Sequence, residues 1–305
     1  GGVTQPDKPV GRHQDTLQPS QVKLYAVEHG LPVLQPVKMK DPDFLEQLKS
    51  YQADLQVVVA FRMLPEVVWA MPKFGTFNVH AALLPQYRGA APINWAVING
   101  ETETGVTTFF LDHDIDTGRI IMQKRFPIPD EANVEYVYDG LMHLGAEIAL
   151  ETIDQLIASD GNISSIAQEE FIGEGVELKS APKIFKDTCC IDFHKPAKQV
   201  HDFIRGLSPY PGAWTYIKKK DAAKEQVLKI FKTTVSEDSR GMAPVGCFRI
   251  EGGHLQIACI DHWLNIYELQ LAGKKRMEAS AFLNGMKDIA YYECQKAPDS
   301  DAGLR

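Results

Sequence analysis

The chain has 305 residues, 44% hydrophobic and 24% charged, which places it among ordinary globular proteins and away from disordered chains. A net charge of −8 argues against nucleic acid binding over the whole surface. No apolar run reaches the ~18 residues of a membrane span, and the opening "GGVTQPDKPVGR" lacks the apolar core of a secretory signal. The five cysteines include no C-x-x-C pair, and adjacent Cys189 and Cys190 are poorly placed to share one tetrahedral metal site. Reduced thiols in a cytoplasmic protein without a metal are expected. Residues 1–182 hold 13 Lys+Arg against 25 Asp+Glu, whereas residues 183–305 hold 19 against 15. That asymmetry fits either a polyanion meeting one part of the chain or simply solvated surface lysines.

Helix and strand patterns alternate through the first half. "PSQVKLYAVEHG" (19–30) carries Val22, Tyr25, Ala26 and His29 at helical spacing and stops at Gly30. "LPVLQP" predicts a short strand, and "DPDFLEQLKSY" (41–51) a helix with Phe44, Leu45 and Leu48 on one face. "LQVVVAF" (55–61) has the unbroken β-branched composition of a parallel strand covered on both faces. "TFNVH" (76–80) is the next strand, and "APINWAVING" (91–100) a helix ended by Asn99-Gly100. "GVTTFFL" and "RIIMQKRFPI" predict two strands around "DHDIDTG", followed by a long helix from about residue 133 to 156. Such alternation predicts an α/β, Rossmann-like, mostly parallel sheet.

Residues 158–190 lose periodicity and resemble a linker. A helix over 196–207 and the corner "SPYPGA" come next, then the short strand patterns "WTYIK", "VLKIFKTTV", "GCFRI", "HLQIACI" and "WLNIYELQL". Their spacing predicts a small antiparallel β-barrel as a second domain. The expected division is 1–182 and 183–305.

Asn78 and His80 share a strand face, because side chains alternate along a strand. They would project from its carboxyl end, where ligands bind in open α/β sheets. An amide donor and an imidazole suit a developing oxyanion, and "LDHDIDTGR" (111–119) offers Asp112, Asp114 and Asp116 as a third partner. Spacing alone equally allows a capped strand end and Asx turns in the Asp cluster.

The stretch "FNVHAALLPQYRGAAPINWAVINGETETGVTTFFLDHDIDTG" resembles the signature of the folate-dependent formyltransferases. "QPDKPVGR" (5–12), "RGLSPYPGAW" (205–214) and "LQLAGKKRM" (269–277) are similar to further segments of members that formylate methionine on initiator tRNA. The resemblance spans nearly the whole chain. It implies a catalytic domain followed by an OB-like tRNA-binding barrel, and 10-formyltetrahydrofolate as co-substrate with no metal. It also implies initiator methionyl-tRNA as partner and action as a monomer. Asn78, His80 and Asp116 match the catalytic trio of the family. Arg62, Met63, Leu64, His113, Asp114 and Ile115 match its folate contacts, although core packing is the ordinary role for Met63 and Leu64. Lys8 and Arg12, with Lys218, Lys219, Lys220, Lys274, Lys275 and Arg276, are the candidate tRNA contacts. Gly89 is expected to let the "YRGAAP" loop approach the substrate.

Three departures accompany the resemblance. The family's first strand and its "G-T-P-x-F" turn have no counterpart in this sequence, so a catalytic domain lacking that strand is expected. Ala82 stands where the family has Ser, and His13 where it has Gly. Relatives with the same trio formylate other amines, including a nucleotide sugar or glycinamide ribonucleotide, or hydrolyse the folate. A sugar formyltransferase and a non-catalytic RNA- or folate-binding relative are therefore the alternatives, and "QPDKPVGR" with the barrel pattern favours tRNA.

Overall fold

Capping and patterning set the first helices of the computed structural model, which describes residues 1–296 except 12, 15 and 61. Ser20 caps the helix Gln21–Glu28 by accepting from the Lys23 amide, and Asp41 caps Pro42–Ser50, with proline in the first turn where its missing N–H costs nothing. Phe44 and Leu48 bury one face of the second helix against Val68, with Val3, Leu34 and Leu64 packed around them. Burial of side chains this size contributes roughly 1.5–3 kcal/mol each.

The described residues group into two compact units. The first comprises residues 1–80, 108–122 and 149–168. Its main sheet runs in the order Gln56–Val59, Thr76–His80, Glu103–Phe110, Ile120–Pro127, with residues 108–110 and 120–122 of the last two strands assigned to this unit. The first two strands are parallel, with Val58 opposite Asn78. A separate parallel pair joins Gly2–Val3 to Val33–Leu34. Lys8–Val10 and Thr16–Gln18 form a hairpin that the sequence patterns do not predict.

Two expectations for this unit need correction. Val57 and Val59 are 41% and 62% exposed, so the Gln56–Val59 strand is not covered on both faces. It is the edge strand of its sheet, and its composition reflects β-propensity rather than two-sided burial. Val22 and Tyr25 are likewise exposed, and within Gln21–Glu28 only Ala26 is buried.

The second unit comprises residues 81–107, 123–148 and 169–305, of which those to 296 are described. Its largest sheet is antiparallel, in the order Phe248–Glu251, His254–Ala258, His262–Leu271, Glu225–Ser239, Ala213–Lys219, Tyr292–Cys294. A bridge between Cys247 and Glu293, with the Cys294 amide donating to the Gly246 carbonyl at 2.8 Å, brings the two ends together into a nearly closed barrel. Inward-facing Ile217, Leu228, Ile230, Leu255, Ile257, Leu264 and Leu269 fill it, and the helices Ala197–Gly206 and Ala279–Gly285 pack on the same core. This is the alternation a small barrel requires. At the base of the Ala197–Gly206 helix, Asp202 receives Arg205 Nε at 2.8 Å and Lys198 Nζ at 2.7 Å, so two buried charges neutralise one another.

Candidate active site

The Thr76–His80 strand lies inside its sheet, so its carboxyl end is held from both sides. Phe77 points into the core and is fully buried, which turns Asn78 to the other face, with His80 beside it. The His80 ring meets Phe109 edge-on at 6.4 Å between centroids. Asn78 Oδ1 is buried and has no hydrogen-bond partner among the described residues. An acceptor left in that state costs roughly 1–3 kcal/mol, and a donor on a bound ligand would relieve it.

The third group arrives on the loop 111–118. The Phe110 amide donates to the Arg119 carbonyl at 3.1 Å and the Leu111 amide to the Thr76 carbonyl at 2.9 Å, closing the loop beside the strand that carries Asn78 and His80. Inside it, Asp112 Oδ1 accepts from the His113 amide, and Thr117 Oγ1 donates to the Asp114 carbonyl. Asp112 and Asp114 are exposed and serve the turn, as an Asx-rich loop permits. Asp116 differs from them. Its backbone is left-handed, with φ of 58°, and its carboxylate lies 3.9 Å from His80 Nδ1, both side chains being about nine-tenths buried. That separation exceeds a direct hydrogen bond but leaves the carboxylate facing the ring nitrogen, close enough to attract the imidazole when it carries a proton. Gly118 closes the turn where only glycine fits, because a Cβ there would stand 1.6 Å from the Phe110 carbonyl oxygen.

Gln168 escaped sequence reasoning. It lies in the stretch that resembled a linker, yet it is fully buried and its Nε2 donates to the carbonyls of Asp116 and Gly118, both at 2.8 Å. Nothing in the local pattern marks it, since its partners are 50 and more residues away.

The other candidates are more dispersed. Arg62 donates to the carbonyls of Pro36 and Val37 at 2.7 and 2.9 Å, so its guanidinium fastens two segments of the first unit. Met63 is 68% exposed, which removes core packing as its role, whereas Leu64 does pack on the Phe44 cluster. His113 Nδ1 lies 3.8 Å from Glu66 and the ring stands edge-on to Trp69, while Asp114 and Ile115 are exposed. Lys8 is exposed on the hairpin strand, and Arg12 lies outside the described residues. Nearby, hydrogen bonds from Lys23 and then Gln35 hold the Asp7 carboxyl below its ordinary range.

In the second unit, Lys218 sits opposite Glu225 and Glu293 in the strand register, and Lys219 pairs with Asp288 at 2.7 Å. Lys220, Lys274 and Lys275 are exposed. Arg276 is committed within the protein: it pairs with Glu268 and lies 4.2 Å over the Phe231 ring. Gly89, at φ 128°, makes a close approach within the protein itself. A Cβ would fall 2.4 Å from the Ala181 carbonyl oxygen, so the glycine lets its strand pair closely with Ser180–Ala181. Thr107 Oγ1 fastens the preceding turn by donating to the Ala82 carbonyl and accepting from the Leu84 amide.

Among the described residues, no helix is long and apolar enough to cross a membrane. The model of the family described as formyl transferase matches residues 2–153, and that of the formyl transferase C-terminal domain matches residues 183–287. A protein of Parabacteroides distasonis named methionyl-tRNA formyltransferase is 58% identical, over 96% of this chain and 89% of its own. One of the same name from Bacteroides fragilis is 54% identical, over 93% and 86%. Among solved structures, HypX of Aquifex aeolicus with tetrahydrofolic acid superposes with a TM-score of 0.57 at 20% identity, over 87% of this chain and 44% of its own. The N-formyltransferase of Helicobacter canadensis, in complex with folinic acid and dTDP-3-aminofucose, gives 0.57 at 20% identity, over 89% and 86%. The two solved structures agree in fold alone, but identity above one half along almost the full sequence of the first two relatives is decisive, and the chain belongs to the formyl transferase family.

Proposed function

We propose that this chain transfers the formyl group of 10-formyltetrahydrofolate to the amino group of methionine esterified to initiator tRNA, as the names of its curated relatives indicate for them. The observation that carries the chemical part of this reading is the pairing of buried His80 with Asp116 beside an Asn78 amide whose oxygen lacks a partner among the described residues. Folate as co-substrate is supported by the family and by the folates in the superposed structures.

The bound folate supplies a formyl carbon open to attack by an amine. As the amine adds, negative charge gathers on the formyl oxygen. Asn78, through its NH2 group, and His80, when protonated, donate hydrogen bonds to that charge. The attacking nitrogen becomes positive and must lose a proton. Asp116, whose negative charge orients the imidazole beforehand, takes that proton, directly or through a water; collapse of the tetrahedral intermediate then breaks the bond from the formyl carbon to N10, and N10 leaves with a proton as tetrahydrofolate. Burial of both side chains strengthens each of these interactions relative to bulk water.

Within the same reading, residues 1–182 carry catalysis and residues 183–305 bind tRNA. Arg62, Met63, Leu64 and residues 113–115 contact folate, with exposed Met63 and Ile115 offering apolar surface. Lys8, Arg12, Lys218, Lys220, Lys274 and Lys275 contact phosphates. Lys219 and Arg276 contribute only if their carboxylate partners are exchanged for phosphate. The test supplies 10-formyltetrahydrofolate with methionyl-tRNA, with an amino-sugar nucleotide, or with water alone. Formylmethionyl-tRNA is the expected product. A formylated sugar, free formate or no turnover would each replace this reading.

A further inference from the structure

We propose that Gln168 is a positioning residue for Asp116, holding the turn that aims the carboxylate at His80; this rests on the formyl-transfer reading. A side-chain NH2 has two hydrogens, and here both are spent on one turn, on the carbonyls that flank Thr117. Two bonds from one fully buried amide fix the orientation of that turn as well as its position.

The turn needs such a hold. Asp116 occupies the left-handed region, which an L-residue with a Cβ avoids unless its surroundings impose it. Gly118 abuts the Phe110 carbonyl, so the chain has no slack on that side. Without Gln168 the turn is released at both carbonyls, and Asp116 relaxes toward negative φ. Rotation at that Cα swings the carboxylate away from Nδ1 of His80, which it faces at 3.9 Å. Gln168 touches neither reacting group in this account; it acts through the loop backbone.

Two variants separate this from a general packing role. Gln168→Met keeps the volume and removes both donors. Gln168→Glu keeps the shape but, when ionised, sets a charge against two carbonyl oxygens; protonated, it restores one donor. The wild type and both variants are compared by single-turnover transfer, by KM for methionyl-tRNA, by circular dichroism and by hydrogen exchange of the segment 112–119. For Gln168→Met the expected result is a loss of about 100-fold in kcat at unchanged KM for tRNA, as displacements near 1 Å produce. Faster exchange at 116–118 should accompany it. For Gln168→Glu, the rate relative to wild type should climb as pH is lowered across the range where the protein stays folded.

A Gln168→Met rate within about threefold of wild type, far short of the loss expected from a misaimed group, overturns the proposal. So does a Gln168→Glu ratio that is flat with pH, and this variant decides the matter if Gln168→Met fails to fold. Wild type that transfers no formyl group would refute the functional reading, while the exchange comparison would still decide whether Gln168 holds the turn.

Discussion

His80 Nδ1 lies 3.9 Å from Asp116 Oδ2, although 36 positions of sequence separate the two residues (116 − 80). The imidazole comes from the end of a regular interior strand, the carboxylate from a left-handed residue in a loop. A rigid element and a clamped one thus meet, which is the arrangement that lets a pair act without reorganising during reaction.

Asn78→Ala removes the amide proposed to face the formyl oxygen. The expected loss in kcat is about 10²–10³-fold, the usual effect of deleting one oxyanion donor. Because Asn78 Oδ1 is buried and makes no hydrogen bond among the described residues, the same change should leave the urea midpoint at or above wild type. A large fall in stability with little change in rate would show that the amide serves the fold instead.

Gly118→Ala forces a Cβ to within 1.6 Å of the Phe110 carbonyl oxygen, backbone against backbone. Destabilisation of about 2 kcal/mol or more is expected in urea unfolding, with loss of transfer. Gly285→Ala, at a helix end with nothing within 4 Å of the added carbon, is the control and should be neutral or slightly stabilising.

Replacing Lys274 and Lys275 together should lower the slope of log K against log salt for tRNA binding by about 0.7–0.9 for each phosphate that is no longer neutralised. Turnover at saturating tRNA should not change. Arg276→Ala should instead act on the barrel, since Arg276 pairs with Glu268 and covers Phe231. An unchanged slope in the double lysine variant would take that turn out of the interface.

The thiols predict a decline of stability in alkali. Burial pushes Cys259 up to about 12 from its ordinary 9.0, with the charge of Asp261 adding to the effect, and burial likewise raises Cys294. The unfolded thiol ionises near 9.0 while the folded one keeps its proton. The stability contributed by Cys259 is therefore complete below that pH and is lost as pH climbs toward about 12, at up to about 1.4 kcal/mol per pH unit. Urea midpoints at pH 8 and 10 measure the fall, which Cys259→Ala should reduce. A fall of equal size in that variant would assign it to other groups.

Most strands and helices were legible because their side chains carry a period: Phe44 and Leu48 four apart, Ile217 to Leu269 alternating along the barrel strands. Asn78, His80 and Asp116 were grouped as a candidate site through the family motif, and the structure sets His80 and Asp116 3.9 Å apart. The Gln168 clamp was not, because it joins an amide in an aperiodic segment to backbone carbonyls, which any residue supplies. The exposure of Val57 and Val59 was hidden for a related reason. A β-branched run states that a strand will form, but the layers over it are decided by the rest of the chain. The hairpin Lys8–Val10 with Thr16–Gln18 has only three residues on each side, KPV and TLQ, too few for an alternation to stand out.

The most direct measurement is a double-mutant cycle on single-turnover formyl transfer to methionyl-tRNA, using His80→Ala, Asp116→Asn and the pair. If imidazole and carboxylate work as one unit, each single change costs about 10²–10⁴-fold and the double variant is scarcely slower than the worse single one, all three remaining folded. Near-wild-type transfer in either single variant, or losses that multiply in the double, would contradict the account.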